Sequence, residues 1–329
     1  MRAATLTAHG APPEPADRPD PTVADGQVLV AVAAAPITPL DLLCASGTSY
    51  FGPPDLPYVP GVQGVGVVRG GPDALVGRTV WFPTSAGMAP GDGAMADLVA
   101  VPADAVVEVG DGLPAADVAA LGLSAVAAWE VLEGRARLAS GETVLVLGAG
   151  GVVGQVAVQA ARLLGAGRVV AAARSATAQH AAREAGADAV VPLPDGADAP
   201  SLTAALVEAA GGPVDVVVDP LAGLPGTAAV ATLASGGRLV NLGSSAGAAL
   251  SVDSAVLRSR SAAVLGYTNN DVPPERRAAV LRTVVGHAAA GRLAVRSERR
   301  ALEDVAAAWA AVGDGNAVGR VVLEPSGTL

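Results

Sequence analysis

The stretch TVLVLGAGGVVGQVAVQAARLLG, residues 143–165, constrains the fold more than any other part of the chain. It begins with a short apolar run rich in β-branched residues, which predicts a buried parallel strand. A glycine-rich turn follows, and an amphipathic helix follows the turn. In this order the first N–H groups of the helix and the positive end of its dipole face the turn, where they favour a phosphate group. The stretch therefore predicts a dinucleotide-binding turn.

The glycine spacing departs from the strict G-x-G-x-x-G pattern, because its last position is Val153. The glycines at 148, 151 and 154 instead follow a G-x-x-G-x-x-G spacing, and one extra glycine stands at 150. A tight structural corner is the alternative interpretation, but the strand–helix units that follow favour the dinucleotide. We expect cofactor contacts from Gly148, Gly150, Gly151, Val152, Val153 and Gly154.

The end of the second predicted strand indicates which dinucleotide would bind. Sites for NAD usually place an Asp or Glu about 20 residues after the glycines, to hold the ribose 2′-hydroxyl. No carboxylate occurs between Thr143 and Arg183, and the second strand ends in Arg174 and Ser175. A guanidinium and a hydroxyl suit the 2′-phosphate of NADP, although a solvated loop arginine is the alternative for Arg174. We predict NADP(H) as cofactor.

Strands and helices alternate from residue 141 onward. The predicted strands are 143–147, 168–173, 189–191, 214–219, 237–242 and 262–267, and the predicted helices are 151–164, 176–185, 200–210 and 224–233. This alternation predicts an α/β fold with a doubly wound parallel sheet, which binds its ligand at the carboxyl ends of the strands. We expect those ends to contribute Asp219, Leu242, Gly243 and Ser244 to the cofactor site and Tyr267 to the substrate site.

The rest of the chain predicts a second domain. Residues 1–121 contain short Val-rich strands bounded by Gly, Pro or Asp, and the last 60 residues leave the alternating pattern. We predict that 1–121 and 271–329 form a mostly-β catalytic domain and that 122–270 form the dinucleotide-binding domain.

Composition narrows the possible functions. The formal net charge is −10, which disfavours nucleic acid or an anionic membrane surface as partner. All 21 basic residues are arginines, so a lysine nucleophile is excluded. Cys44 is the only cysteine, which excludes a cysteine zinc cluster. We see no signal peptide and no long apolar run, and we expect a soluble, cytoplasmic protein.

Several motifs resemble the medium-chain dehydrogenase/reductase superfamily, and in particular its zinc-free, zeta-crystallin-like quinone oxidoreductase branch. They are ITPLDLLCASG (37–47), LPYVPGVQGVGVV (56–68), ALGLSAVAAWEVL (120–132), the glycine stretch (141–166), GRLVNLGSSAG (237–247) and NAVGRVVLEP (316–325). The resemblance implies a GroES-like catalytic domain beside a Rossmann domain. It also implies a homodimer joined at the sheet edge near 262–267.

Zinc-dependent relatives carry a cysteine where this chain has Thr38, and Gly-His-Glu where it has Gly61-Val62-Gln63. A hydroxyl, a valine and an amide cannot replace thiolate and imidazole as zinc ligands. We therefore predict no metal.

The same resemblance implies the site residues. The family motif is Asn-Pro-Val-Asp-x-Tyr, and it corresponds here to residues 38–43. Asp41 matches the motif, whereas Thr38 replaces its asparagine and Leu43 replaces its tyrosine, which indicates an altered substrate pocket. Ser124 occupies the position of a threonine near the nicotinamide, and Asn316 precedes the final strand as a possible cofactor contact. We expect Thr38 and Ser124 to stabilise developing charge, and Asp41 to lie in the substrate pocket. Hydroxyls of this kind can also serve only the local backbone. Asp41 can also serve only to orient its loop, and Tyr50 and Tyr267 can also serve only packing.

The main functional hypothesis is hydride transfer from NADPH to a small electrophile, a quinone or an α,β-unsaturated carbonyl compound, with solvent or Tyr50 returning the proton. An enoyl-thioester or pathway-specific reductase is the alternative within the same superfamily. A non-catalytic, crystallin-like NADPH-binding protein is the alternative of another class.

Overall fold

The computed structural model describes residues 1–317 and 319–325. The chain divides into two compact units, one formed by Met1–Gly122 with the described residues from Val295 onward, and the other by Leu123–Ala294. The strands are β1 Arg2–Thr5, β2 Glu14–Asp17, β3 Gln27–Pro36, β4 Gln63–Gly70, β5 Thr79–Pro83, β6 Leu98–Pro102, β7 Val107–Glu108, β8 Thr143–Leu147, β9 Arg168–Ala173, β10 Ala189–Pro192, β11 Val214–Asp219, β12 Leu233–Asn241, β13 Ala263–Gly266, β14 Ser297–Ala301 and β15 Arg320–Glu324. The α-helices are α1 Pro39–Ala45, α2 Ala115–Glu130, α3 Val152–Leu163, α4 Ala176–Glu184, α5 Ala199–Ala210, α6 Gly223–Val230, α7 Ser254–Arg260, α8 Pro274–Ala289 and α9 Val305–Gly313.

The second unit contains a six-stranded parallel sheet in the order β10-β9-β8-β11-β12-β13. The first strand of the unit, β8, therefore lies at the centre, and the chain winds outward from it in both directions. Leu145 and Leu147 of β8 and Leu239 of β12 are fully buried in the core of this unit. This arrangement confirms the doubly wound sheet, and it places the topological switch point between β8 and β11.

One predicted boundary in this sheet is wrong. The helix expected at 224–233 ends at Val230, and β12 begins at Leu233 instead of 237. The pairing of β11 with β12 shifts register between Val214 and Val216, because the strand contains a bulge there. The glycines at 236 and 237 interrupt the apolar pattern, which made the early part of the strand resemble the end of a helix.

The first unit is built on a seven-stranded, mostly antiparallel sheet. Its path is β14-β15-β3-β4-β5-β7, with β6 also paired to β3, and β1 and β2 form a separate two-stranded sheet. Its core contains Trp309 of α9, Leu6 and Phe82. The mostly-β character of this unit agrees with the GroES-like domain that the resemblance implied.

Residues 271–294 group with the second unit, not with the first as the sequence suggested. Helix α8 is held there by specific contacts. Arg276 Nε donates to Glu130 Oε1 at 2.7 Å, His287 stacks on the buried Trp129 at 5.3 Å, and Ala294 N donates to Gln159 Oε1 at 2.9 Å. The sequence pattern carried no information about which core this helix would join.

Ala115–Arg135 is the one helical stretch among residues 1–317 and 319–325 that is long and apolar enough to cross a membrane, with a mean hydropathy of 1.5. Of its most apolar window, 78% is buried inside the fold. The stretch also bends at Gly122, whose φ of 35° and ψ of −135° are not helical. These features are typical of a core helix.

A charged network ties the start of β8 to β12. Arg238 Nη1 and Nη2 donate to the two carboxylate oxygens of Glu142, each at 2.7 Å, and Arg238 Nε donates to the Ala136 carbonyl at 2.6 Å. Burial alone would raise the pKa of Glu142, but the hydrogen bonds from Arg238 and from the Ala139 N–H outweigh it, so the pKa lies below its ordinary value.

We expect Glu142→Gln to lower the free energy of unfolding by about 1–3 kcal/mol near neutral pH, because a hydrogen-bonded ion pair is lost. A lowered carboxylate pKa stabilises the fold above the ordinary value of 4.5 and ceases to do so as the pH falls through the folded-state pKa. The difference between wild type and variant should therefore disappear in acid. Urea unfolding at a series of pH values from neutral to well below 4.5 measures this, and a difference independent of pH would contradict it.

Candidate functional site

The four glycines at the turn after β8 serve different purposes. Gly148 has a φ of +63°, which favours glycine. A Cβ at Gly150 would lie 2.3 Å from Cβ of Ala178, and a Cβ at Gly154 would lie 2.5 Å from the Gly148 carbonyl oxygen. At Gly151, by contrast, the nearest atom is 3.5 Å away. Gly148, Gly150 and Gly154 are thus required by the protein itself, whereas Gly151 leaves open space at the start of α3.

That open space fits a diphosphate. Gly151 is the N-cap of α3, and no side chain caps the helix. Four N–H groups at a helix start have no partner within the helix, and a phosphate is a suitable partner for them. A methyl group on Gly151 would lie where such a ligand approaches. The backbone of the turn is therefore compatible with the cofactor expected from the sequence.

Gln155 is a functional residue that the sequence analysis did not identify. Its side chain is buried, and its Nε2 donates to the Gly150 carbonyl at 2.8 Å. This bond holds the turn from within the first helical turn of α3. A glutamine among apolar residues on the inward face of the helix was the available signal.

Asp219, at the carboxyl end of β11, is fully buried and hydrogen-bonded inside the protein. Its Oδ1 accepts from the N–H groups of Leu221 and Ala222, at 2.9 and 2.8 Å, and its Oδ2 accepts from Asn241 Nδ2 at 3.0 Å. Both oxygens therefore have donors inside the protein, and a contact of Asp219 with the cofactor stays a prediction. The carboxylate fixes the loop that follows β11.

The loop that follows β12 is held against the loop that follows β11. Leu242 N donates to the Asp219 carbonyl at 2.9 Å, and Asn241 Nδ2 donates to the Gly243 carbonyl at 2.8 Å. A Cβ at Gly243 would lie 2.6 Å from the Pro220 carbonyl oxygen. Ser244 follows in the same loop. The expected cofactor residues Leu242, Gly243 and Ser244 therefore lie at the sheet edge that the glycine turn also occupies.

Arg174 and Ser175, which we expect to bind the 2′-phosphate, also lie at the carboxyl ends of the strands. Arg174 follows β9, the neighbour of β8, and its side chain is exposed. Its guanidinium forms no ion pair or hydrogen bond with the residues that the structure describes. Ser175 is the N-cap of α4, where its Oγ accepts from Ala178 N at 3.2 Å. The serine hydroxyl still has its proton to donate.

Thr38 and Asp41 form a closed capping box at the start of α1. Thr38 Oγ1 donates to Asp41 Oδ2 at 2.6 Å and accepts from Asp41 N at 3.2 Å, while Thr38 N donates to the same carboxylate oxygen at 2.8 Å. Thr38 is 5% exposed. Its hydroxyl proton is directed at Asp41, so Thr38 caps α1, and its role in stabilising developing charge stays a prediction.

Asp41 is buried, and its other oxygen accepts from the N–H groups of Gly61 and Val62 at 3.1 and 2.9 Å. Burial raises the pKa of Asp41, while the Thr38 and Val62 hydrogen bonds and the nearby charge of Arg320 oppose the rise. A place for Asp41 in the substrate pocket stays a prediction. Its carboxylate joins the loop before α1 to the segment that enters β4.

The positions that hold zinc in relatives are occupied by core residues. Val62 is 1% exposed, and Gln63 is fully buried with its Oε1 accepting from Trp81 Nε1 at 2.9 Å. Across 1–317 and 319–325, no group of three or more His, Cys, Asp or Glu side chains lies close enough to hold a metal ion.

Two further expected residues lie on the surface of the first unit. Tyr50 is 78% exposed, and its ring packs on Phe51 with centroids 4.3 Å apart. Asn316 is exposed in the turn after α9. The structure does not bring Tyr50 together with Thr38 and Asp41, both of which are buried.

Tyr267 and Ser124 are linked through a residue that the sequence analysis did not single out. Tyr267 Oη donates to Asn269 Oδ1 at 2.7 Å, and Asn269 Nδ2 donates to the Leu123 carbonyl at 3.1 Å. Ser124 is the next residue after Leu123. Burial raises the pKa of Tyr267 well above its ordinary value, with the charge of Glu130 adding to the rise, so the phenol stays protonated near neutral pH.

Comparisons with known proteins agree with this architecture. Residues 24–111 match the alcohol dehydrogenase GroES-like domain, and residues 152–285 match the zinc-binding dehydrogenase family. The second of these families is named for zinc binding, although the zinc positions of this chain hold Thr38, Val62 and Gln63.

Two solved structures superpose over nearly the whole chain. A mycobacterial quinone oxidoreductase is 27% identical with a TM-score of 0.85, covering 99% of this chain and 100% of that one. The quinone oxidoreductase from Thermus thermophilus, which was also solved as a complex with NADPH, is 29% identical with a TM-score of 0.80, covering 98% and 100%.

Two curated relatives are enzymes of acyl-chain metabolism. The chain is 32% identical over 305 residues to a phenolphthiocerol/phthiocerol polyketide synthase from Mycobacterium tuberculosis, covering 90% of this chain and 13% of that protein. It is 33% identical over 150 residues to the mitochondrial enoyl-[acyl-carrier-protein] reductase of Xenopus tropicalis, covering 43% and 40%. The chain thus spans only a small part of the first relative and less than half of the second.

The glycine geometry predicts that alanine substitutions at Gly154 and at Gly151 differ in their effect on stability. We expect Gly154→Ala to destabilise the protein by about 2 kcal/mol or more, because its methyl would collide with backbone at 2.5 Å. Gly151→Ala should change stability by less than about 1 kcal/mol, because its φ of −76° suits alanine and its methyl has room, which offsets the poorer N-cap that alanine provides. Urea unfolding of both variants measures the difference, and equal losses would show that the turn is not built as described.

Proposed function

The chain belongs to the medium-chain dehydrogenase/reductase superfamily, in its zinc-free quinone oxidoreductase branch, and from this premise we propose that it transfers hydride from NADPH to a quinone or an α,β-unsaturated carbonyl compound. The observation that carries the proposal is the turn at Gly151, which is open to a diphosphate at the switch point of the sheet. Proteins of this family bind NAD(P)H, and this turn is where we expect the diphosphate to bind.

Backbone groups would hold most of the cofactor. The N–H groups at the start of α3 would bind the diphosphate, with the turn held by Gln155. Arg174 and Ser175 would bind the 2′-phosphate through charge-assisted hydrogen bonds. The absence of any carboxylate between 143 and 183 leaves no group there to repel that phosphate. When bound, the cofactor supplies a hydride, and the protein has to orient the reactants and stabilise charge.

Ser124 is the residue that we propose as a hydroxyl donor to the oxygen that gains negative charge during reduction. Thr38, the other hydroxyl expected from the sequence, directs its proton at Asp41, and we therefore give it the capping role in this proposal. Tyr267 directs its proton at Asn269, and solvent therefore remains the simplest source of the proton that completes the reduction. None of these roles requires a metal.

An enoyl-thioester reductase is the second candidate. The relationship to an enoyl-[acyl-carrier-protein] reductase and to a polyketide synthase favours it. Leu43 and Thr38 also replace the tyrosine and asparagine that are usual in the quinone oxidoreductase motif, which favours a substrate other than a simple quinone. Both candidates reduce a carbon conjugated to a carbonyl, so they share the same requirement for charge stabilisation.

The cofactor assignment predicts a selective loss of affinity. Arg174→Ala should raise the Kd for NADPH about 10- to 100-fold, because one or two charge-assisted hydrogen bonds are lost, and should change the Kd for NADH less than about twofold. Titration calorimetry measures both constants. Arg282, another exposed arginine of the same unit, provides a control, and Arg282→Ala should change neither. Equal losses for the two cofactors in Arg174→Ala would refute the 2′-phosphate assignment.

The glycine turn predicts a different selectivity. Gly151→Ala should weaken NADPH and NADH alike, by about tenfold or more, because its methyl stands where the shared diphosphate approaches the backbone. The same calorimetric titration tests this. If the variant binds both cofactors as the wild type does, the diphosphate is not held at this turn.

The reaction itself is tested by NADPH oxidation with a simple benzoquinone and with a crotonyl thioester. Turnover of the quinone supports the main proposal, and preferential turnover of the thioester supports the second candidate. Tight NADPH binding without turnover of either compound would favour the non-catalytic, crystallin-like alternative. If no nicotinamide cofactor binds, the reductase proposal fails.

A further inference from the structure

The side-chain amide of Asn269 connects two segments that lie far apart in the sequence. Its Oδ1 accepts from Tyr267 Oη at 2.7 Å, in the loop after β13, and its Nδ2 donates to the Leu123 carbonyl at 3.1 Å, in α2. Asn269 is partly buried. An amide is well suited to this place because it offers an acceptor and a donor on one rigid, planar group.

This link extends a polar chain that follows the carboxyl ends of the sheet. Tyr267 N donates to the Asn241 carbonyl at 2.9 Å, and the Asn241 side chain in turn donates to Asp219 Oδ2 and to the Gly243 carbonyl. The ends of β11, β12 and β13 are therefore connected to one another by hydrogen bonds. Asn269 carries the connection from β13 to α2.

The segment that Asn269 contacts is a place where the helix is interrupted. Gly122 has φ 35° and ψ −135°, and Leu123 is the first residue after this break. The hydrogen bond from Asn269 supplies a fixed point on the Leu123 carbonyl, one peptide away from Ser124.

We propose that Asn269 is a positioning residue, which holds the Leu123–Ser124 peptide and thereby sets where the Ser124 hydroxyl meets the substrate. The inference rests on the proposed function, since it deepens the role given there to Ser124. The Leu123 carbonyl can only accept, so it fixes which end of the Asn269 amide is the donor, and Tyr267 Oη holds the other end as its donor. Asn269 itself does not contact the reacting atoms.

Turnover tests the inference with a matched control. In Asn269→Leu both hydrogen bonds are lost, and kcat should fall about tenfold or more, as misplacement of a reacting group does, while the calorimetric Kd for NADPH should change less than about twofold. Asn270 is the adjacent, exposed residue of the same type, and Asn270→Ala should leave both quantities unchanged. An unchanged kcat in Asn269→Leu would overturn the inference.

Asn269→Asp separates the two hydrogen bonds. An aspartate can still accept from Tyr267 Oη but has no N–H for the Leu123 carbonyl. Its kcat should therefore fall as in Asn269→Leu. A kcat equal to that of the wild type would show that the bond to Leu123 is not what matters.

A double-mutant cycle shows whether Asn269 acts through Ser124. In a Ser124→Ala background, Asn269→Leu should reduce kcat less than about twofold further, because the hydroxyl that it positions is already absent. Fully additive losses would overturn the inference. If Ser124→Ala alone has no effect on kcat, it is the proposed role of Ser124 that fails.

Amide hydrogen exchange gives a readout that needs neither cofactor nor turnover. In the cofactor-free protein, exchange in a peptide covering residues 120–130 should be several-fold faster in Asn269→Leu than in the wild type and in Asn270→Ala. Equal exchange in all three proteins would overturn the inference even if the wild type is active. Faster exchange in a protein that binds no NADPH would support the positioning and refute the proposed function.

Discussion

The structure depends on how closely α3 approaches the end of β8. A Cβ at Gly154 would lie 2.5 Å from the Gly148 carbonyl oxygen, so the helix can lie this near the strand only if the residue has no side chain. This contact directs the start of the helix across the carboxyl end of the central strand. The switch point of the sheet, the loops after β11 and β12, and Arg174 after β9 are all arranged around that helix start. The proposed cofactor site is therefore a consequence of backbone packing more than of particular side chains.

Two buried carboxylates perform the same structural task in the two units. Asp219 accepts N–H groups from the loop that follows it, and Asp41 accepts N–H groups from the segment that enters β4. A buried carboxylate is costly unless its oxygens are hydrogen-bonded, and both residues meet that condition with backbone donors. Acidic side chains at a predicted ligand site can thus belong to the framework.

Much of the fold could be predicted from the sequence because it depends on patterns within one segment. The strands 143–147, 168–173 and 214–219 have the predicted bounds, since each is an apolar run closed by a turn residue. The core that α8 joins depends on contacts with Trp129 and Glu130, far away in the sequence, and could not be predicted. The same reason hid the roles of Thr38 and Asn269. A hydroxyl or an amide shows in the sequence what it can donate or accept, but its partner is known only once the chain has folded.

The contact between Gly150 and Ala178 carries a consequence for redesign. These two small residues set the distance between the turn after β8 and the helix α4, whose N-cap is Ser175. This pair thus determines the spacing between the glycine turn and the start of α4, the two places where we propose that the anionic groups of the cofactor bind. A new loop grafted at 174–175 to change the nucleotide preference would have to keep both Gly150 and Ala178. A larger side chain at either position would move the adenosine end of the proposed site away from the diphosphate end.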